Sequence, residues 1–78
     1  MNIYLIYQDE NTGLNTYDSA VVIAESEEEA RKIDPGEGIQ PWAFDSPEWV
    51  SPENVKVKFL GVAAEGLPVV VCASYNAG

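Results

Sequence analysis

The sequence predicts a small α+β fold: a four-stranded antiparallel sheet in the order ββαββ, with one short helix lying on a sheet face. Three observations predict it. The stretches 2–8, 18–24, 55–63 and 68–75 are rich in β-branched and aromatic residues. The stretch 26–33 opens with a helix-capping sequence. Polar clusters divide the strand-like stretches into one pair before the helix and one after it, which reads as two antiparallel hairpins.

In the first strand, Ile3, Leu5 and Tyr7 alternate with Tyr4 and Ile6, so both faces are apolar. Such a strand is either covered on two sides, or covered on one and used for contact on the other. Asp9-Glu10-Asn11-Thr12-Gly13 is a polar turn cluster, and the loop to the second strand exceeds what a tight hairpin needs, as in a mobile or functional loop. The second strand runs Tyr17 to Ala24. Ser26-Glu27-Glu28-Glu29 forms a capping box in which Ser26 accepts from the Glu29 N–H and Glu29 reaches back to the Ser26 N–H. Three glutamates suit the positive end of the helix dipole, and Arg31 and Lys32 suit its other end. Ala30 and Ile33 are spaced to face the sheet, and Asp34-Pro35-Gly36 ends the helix. Ser51-Pro52-Glu53-Asn54 reads as a turn or a single helical turn. In the third strand, Val55, Val57 and Phe59 alternate with Lys56, Lys58 and Leu60. Glu65-Gly66 makes a turn into the fourth, where Pro68 belongs at the start or at an unpaired edge position.

Seventy-eight residues make one domain, 1–78, and an apolar fraction of 46% supports a packed core. Cys72 is the single cysteine, so no internal disulfide forms; inside an apolar strand it reads as a buried core residue. With no disulfide and no zinc-type Cys/His cluster, oligomerisation is the remaining common staple for so small a domain. The N-terminal stretch is too short for a secretory segment and lacks a basic flank, and no run approaches the roughly 18 apolar residues of a membrane span. A cytoplasmic protein is expected.

Thirteen acidic residues against four basic ones give a net charge of −9. Duplex DNA and anionic membranes would be repelled, and a basic protein surface attracted. There is no histidine, and no residue pattern matches a nucleophile with its base, an EF-hand or a metal cluster. The chain reads as a binding protein without enzymatic activity, cofactor or metal.

The segment 34–54 holds four of the five prolines, both tryptophans, Phe44 and five acids with no base. Aromatics beside carboxylates suit an arginine-rich patch on a partner, through ring contact and charge together. The partner-binding candidates are Trp42, Phe44, Asp45, Glu48, Trp49 and Glu53. The competing structural reading folds at least one tryptophan back as a lid over the sheet. Glu27, Glu28 and Glu29 could mimic a nucleic-acid backbone, although a solvated helix start explains them. A second candidate set concerns the lysines. Lys56 and Lys58 project from one face of one strand, and with Tyr4, Tyr17 or Tyr75 stacking on a base they could hold a nucleotide phosphate, most readily in a symmetric oligomer. Pairing with surface carboxylates is the plainer account of these lysines.

Tyr17-Asp18-Ser19-Ala20-Val21-Val22, then Ala24-Glu25-Ser26-Glu27-Glu28-Glu29-Ala30-Arg31, and the ending Ser74-Tyr75-Asn76-Ala77-Gly78 resemble blocks recurring in a group of small uncharacterised proteins of phages, prophages and plasmids. Trp42, Trp49 and Leu60-Gly61 are similar too. The resemblance implies context rather than chemistry: proteins of this kind are often stoichiometric antagonists of bacterial antiviral defence, acting in the cytoplasm of the infected host. The expected function is thus an anti-CRISPR-like inhibitor that binds a host defence protein through segment 37–53. The alternatives are an oligomeric sponge sequestering a cyclic nucleotide signal, and a structural or accessory protein of a mobile element.

Overall fold

Two central strands organise the computed structural model of the chain, which describes residues 1–36, 38–39, 49–64 and 69–76. β1 (Asn2–Tyr7) and β2 (Thr16–Ala24) pair antiparallel from Asn2↔Ala24 to Tyr7↔Ser19. Side-chain alternation puts Tyr4, Ile6, Ala20, Val22 and Ala24 on one buried face. Ile3, Leu5, Val21 and Ile23 fall on the other face and are only half-buried.

After β2 come α1 (Glu27–Arg31), a small hairpin of β3 (Ile33–Asp34) and β4 (Gly38–Ile39), and a single 3-10 turn over Pro52–Asn54. β5 (Lys56–Val62) and β6 (Val69–Asn76) complete the main sheet, whose order is β5-β1-β2-β6 with every pair antiparallel. The four-stranded antiparallel sheet and, among the described residues, the single short helix match the expected class. The second expected hairpin does not form. β5 pairs with β1 and β6 with β2, so the two C-terminal strands occupy opposite edges of the sheet. A turn signal marks where the chain reverses, but it does not choose the neighbour. Here the doubly apolar β1 and β2 take the central positions, where each is flanked on both sides.

The core lies on one face of the sheet. Ala30 from α1, Ile33, Trp49 and Val55 pack over Tyr4, Ile6, Ala20, Val22 and Ala24, with Tyr17, Val50, Val57 and Val70 around them. Ile6, Val22, Ile33 and Val55 are the largest completely buried side chains, each contributing about 1.5–3 kcal/mol by leaving water.

The helix is shorter than the expected 26–33, because Ile33 and Asp34 leave it to pair with Ile39 and Gly38. Pro35 explains the exit, since the residue before a proline avoids the helical region. The Asp34 Oδ1 then accepts from the Gly36 N–H at 2.8 Å, closing the turn. The approach is close at Gly36: a Cβ would stand 3.1 Å from the Tyr17 ring, which would have to give way by a few tenths of an ångström. At the other end, Ser26 Oγ accepts from the Glu29 N–H at 3.2 Å, as the capping box requires. The Glu29 carboxylate reaches one residue further back than expected, to the Glu25 N–H at 2.9 Å.

Candidate functional site

Of the partner-binding candidates, Trp42, Phe44, Asp45 and Glu48 lie outside the described residues. Trp49 is 4% exposed and belongs to the core, the lid role expected of at least one tryptophan, so its ring is not a contact surface here. Glu53 is exposed on the 3-10 turn. The carboxylates of the helix start are exposed as well, with the Glu27 and Glu28 side chains 59% and 79% accessible. Arg31 folds back on them, 3.2 Å from Glu27 and 4.0 Å from Glu28, and also donates to the Val55 carbonyl ahead of β5. Helix geometry accounts for this trio without any partner, since residues three and four apart are neighbours on a helix surface.

The tyrosine and lysine candidates are not brought together within one chain. Lys56 and Lys58 do project from one face: they sit opposite Tyr7 and Leu5 of β1, on the open side of the sheet. Tyr4 is on the other face and buried, its ring edge-on to Phe59 at 5.9 Å between centroids. Tyr17 and Tyr75 meet at 4.7 Å between centroids, their rings tilted by 55°, on β2 and β6 at the far edge from the lysines. A phosphate held by these lysines with a base on these tyrosines would therefore draw on more than one copy of the chain.

Lys56 is also engaged by its own chain. Its Nζ lies 2.9 Å from Asp9 Oδ2. That contact holds the Asp9 carboxyl below its ordinary value and raises the Lys56 ammonium above its own, in both cases chiefly through the shared hydrogen bond and then through charge attraction. Lys58 makes no ion pair among the described residues.

Cys72 is exposed, contrary to the expected core position. It pairs with Val21 on an edge strand, on the face that α1 does not cover. An apolar run of sequence does not reveal whether its strand is central or at an edge.

Sequence reasoning missed Gln8, which is 5% exposed and arranges the β1–β2 loop. Its Nε2 donates to the carbonyls of Asn11 and Tyr17, both at 2.8 Å. Its Oε1 accepts from the N–H groups of Glu10 at 2.8 Å and Asn11 at 2.7 Å. Every polar atom of this buried amide is thereby satisfied. Asn11 Nδ2 extends the network to the Trp49 carbonyl at 3.2 Å. The long loop is thus tied to the core rather than merely joining two strands, and it delivers Asp9 to Lys56. The available signal was parity: Gln8 continues the buried series Tyr4, Ile6 beyond the end of β1.

Among the described residues no group of histidine, cysteine, aspartate and glutamate could hold a metal ion, and no helix is long and apolar enough to cross a membrane. The chain matches no family model, no curated protein and no solved structure.

Proposed function

We propose that this chain is a non-enzymatic binding protein that engages a cationic surface on a partner protein through its acidic side. With the sequence resemblance to phage and plasmid proteins, the partner is a component of a bacterial antiviral defence system, and binding inhibits it. One observation supports the reading above the others: two of the chain's four cations are turned onto its own carboxylates. Arg31 is held by Glu27 and Glu28, and Lys56 by Asp9. Glu10, Asp18, Glu25 and Glu53 remain exposed around them. A surface at net −9 then presents a predominantly negative field, which attracts and orients a basic partner.

The test is expression of the chain in bacteria that carry defined defence systems, with phage plating as the readout, followed by binding kinetics against the component so identified. Restored plating and an association rate that falls steeply with added salt are expected. Asp45→Lys together with Glu48→Lys should slow association and flatten that salt dependence. Plating unchanged across the panel, or a complex indifferent to ionic strength, overturns the proposal and favours the accessory role.

A further inference from the structure

The two edges of the sheet are built differently, and the difference points to a second copy of the chain. An edge strand exposes a row of backbone donors and acceptors to any passing strand, and proteins guard such rows with charge, above all with lysine. β5 is guarded by charge: it carries Lys56 and Lys58. β6 carries no aspartate, glutamate, lysine or arginine over its eight residues. It is open to solvent along most of its length, with 71–76 all accessible and Val71 at 56%.

We propose that β6 is a self-association edge, at which two copies pair antiparallel about a two-fold axis and join their sheets into one of eight strands. The charge distribution selects a second copy as the occupant. Two molecules at −9 repel wherever carboxylates face each other. The acidic helix packs chiefly over β1, β2 and β5, and Asp9 is drawn to β5 by Lys56. Among the described residues of β2, the strand paired with β6, the one carboxylate is Asp18, which sits at a bulge with no partner on β6. A basic partner finds nothing to neutralise along β6, whereas an uncharged strand meets its own copy without opposing like charges. An isologous pairing needs that self-complementarity. The backbone has the groups to make it. The Asn76 carbonyl faces β2, accepting from the Asn15 N–H at 2.6 Å. Strand alternation then turns the Ala73 N–H and carbonyl outward. The stretch 71–75 would carry the pairing, with Ala73 of one copy opposite Ala73 of the other and the bulge against β2 at Val71 marking its end. This inference stands independently of the acidic-surface reading, and it supplies the oligomer that a sponge would require.

Sedimentation equilibrium of the full chain, alongside two variants checked for folding by circular dichroism, tests it. Ser74→Lys gives β6 the guard that β5 already has; Lys58→Ser removes one from β5. The wild type and Lys58→Ser should sediment at twice the chain mass at micromolar concentration, and Ser74→Lys at the single mass. Should Ser74→Lys fail to fold, hydrogen exchange on the wild type decides. The Ala73 amide should then exchange about tenfold or more slowly at high than at low protein concentration. A wild type at single-chain mass throughout the micromolar range overturns the proposal. So does a dimer that persists in Ser74→Lys, or Ala73 exchange that ignores concentration.

Discussion

Leu5 and Ile6 are neighbours on one strand and are equally apolar, yet Ile6 is completely buried and Leu5 is not. The same contrast runs across the sheet. Tyr4, Ile6, Val22 and Ala24 lie beneath Ala30, Ile33, Trp49 and Val55. Ile3, Leu5, Val21 and Ile23 stay half-buried beside Lys56 and Lys58. A strand with two apolar faces offers two surfaces for a core, and the described residues supply one short helix with which to cover them. The covered face is where α1 and Trp49 land. The open face keeps its apolar residues but borders the lysine-bearing β5, which keeps it compatible with water.

The largest effect that could break this contrast is in the core. Ile6→Ala should destabilise by about 2–5 kcal/mol, since it empties a site that the packed helix cannot collapse to fill. Leu5→Ala, one residue away on the open face, should cost under about 1 kcal/mol. Urea denaturation of both variants measures the difference. Equal losses would mean that the open face is covered in solution.

Gln8 comes next, as the polar end of the covered stripe. Gln8→Ala should cost about 1–3 kcal/mol, because it strands two carbonyls and two N–H groups at a part-buried loop. Faster amide exchange at Glu10 and Asn11 should accompany the loss. A loop that stays protected in this variant would show that its order comes from elsewhere.

A smaller effect is expected at the helix that makes one face different from the other. Ser26→Ala removes the N-cap bond to Glu29 and should cost about 1 kcal/mol, read as a lower melting temperature. Partner binding should be nearly untouched. A tenfold loss of binding at unchanged stability would place Ser26 in the contact surface instead.

The smallest effect concerns the exposed Asp9–Lys56 pair beside the open face. Asp9 is shifted down, so its stabilising contribution is present above the unfolded-state value and lost as pH falls through the folded one. Lys56 is shifted up, so its contribution is present below the ordinary lysine value and lost as pH rises through the folded one. Both groups are solvated, and salt screens them. An NMR titration should find Asp9 below the ordinary aspartate range, and Lys56→Met should return it there. An Asp9 that titrates normally in the wild type would remove the pair.

Much of the fold was legible because it rests on local chemistry. Alternation located the four strands to within a residue or two, and Ser26 and the glutamates located the helix start, whereas the helix ended at Arg31, two residues before the expected Ile33. Lys56 and Lys58 were placed correctly on one face, because a two-residue spacing in a strand leaves no other choice. The candidate site was less legible. Whether Tyr4, Tyr17, Tyr75 and the lysines meet depends on strand order, and strand order depends on pairings between residues some fifty positions apart, such as Tyr4 with Phe59 and Val22 with Val70.

By itself the sequence determined the periodicity of each element, the charge of −9 and the amphipathic requirement that something cover the central strands. Those follow from side-chain chemistry and backbone sterics acting over a few residues. Only the tertiary structure decided which apolar face was covered, that Trp49 went inside, that Cys72 came out, and that β5 and β6 became opposite edges. The physical reason is that strand pairing uses the same backbone hydrogen bonds whatever the neighbour. The choice among neighbours is made by summed burial across the whole sheet, which no local stretch of sequence contains.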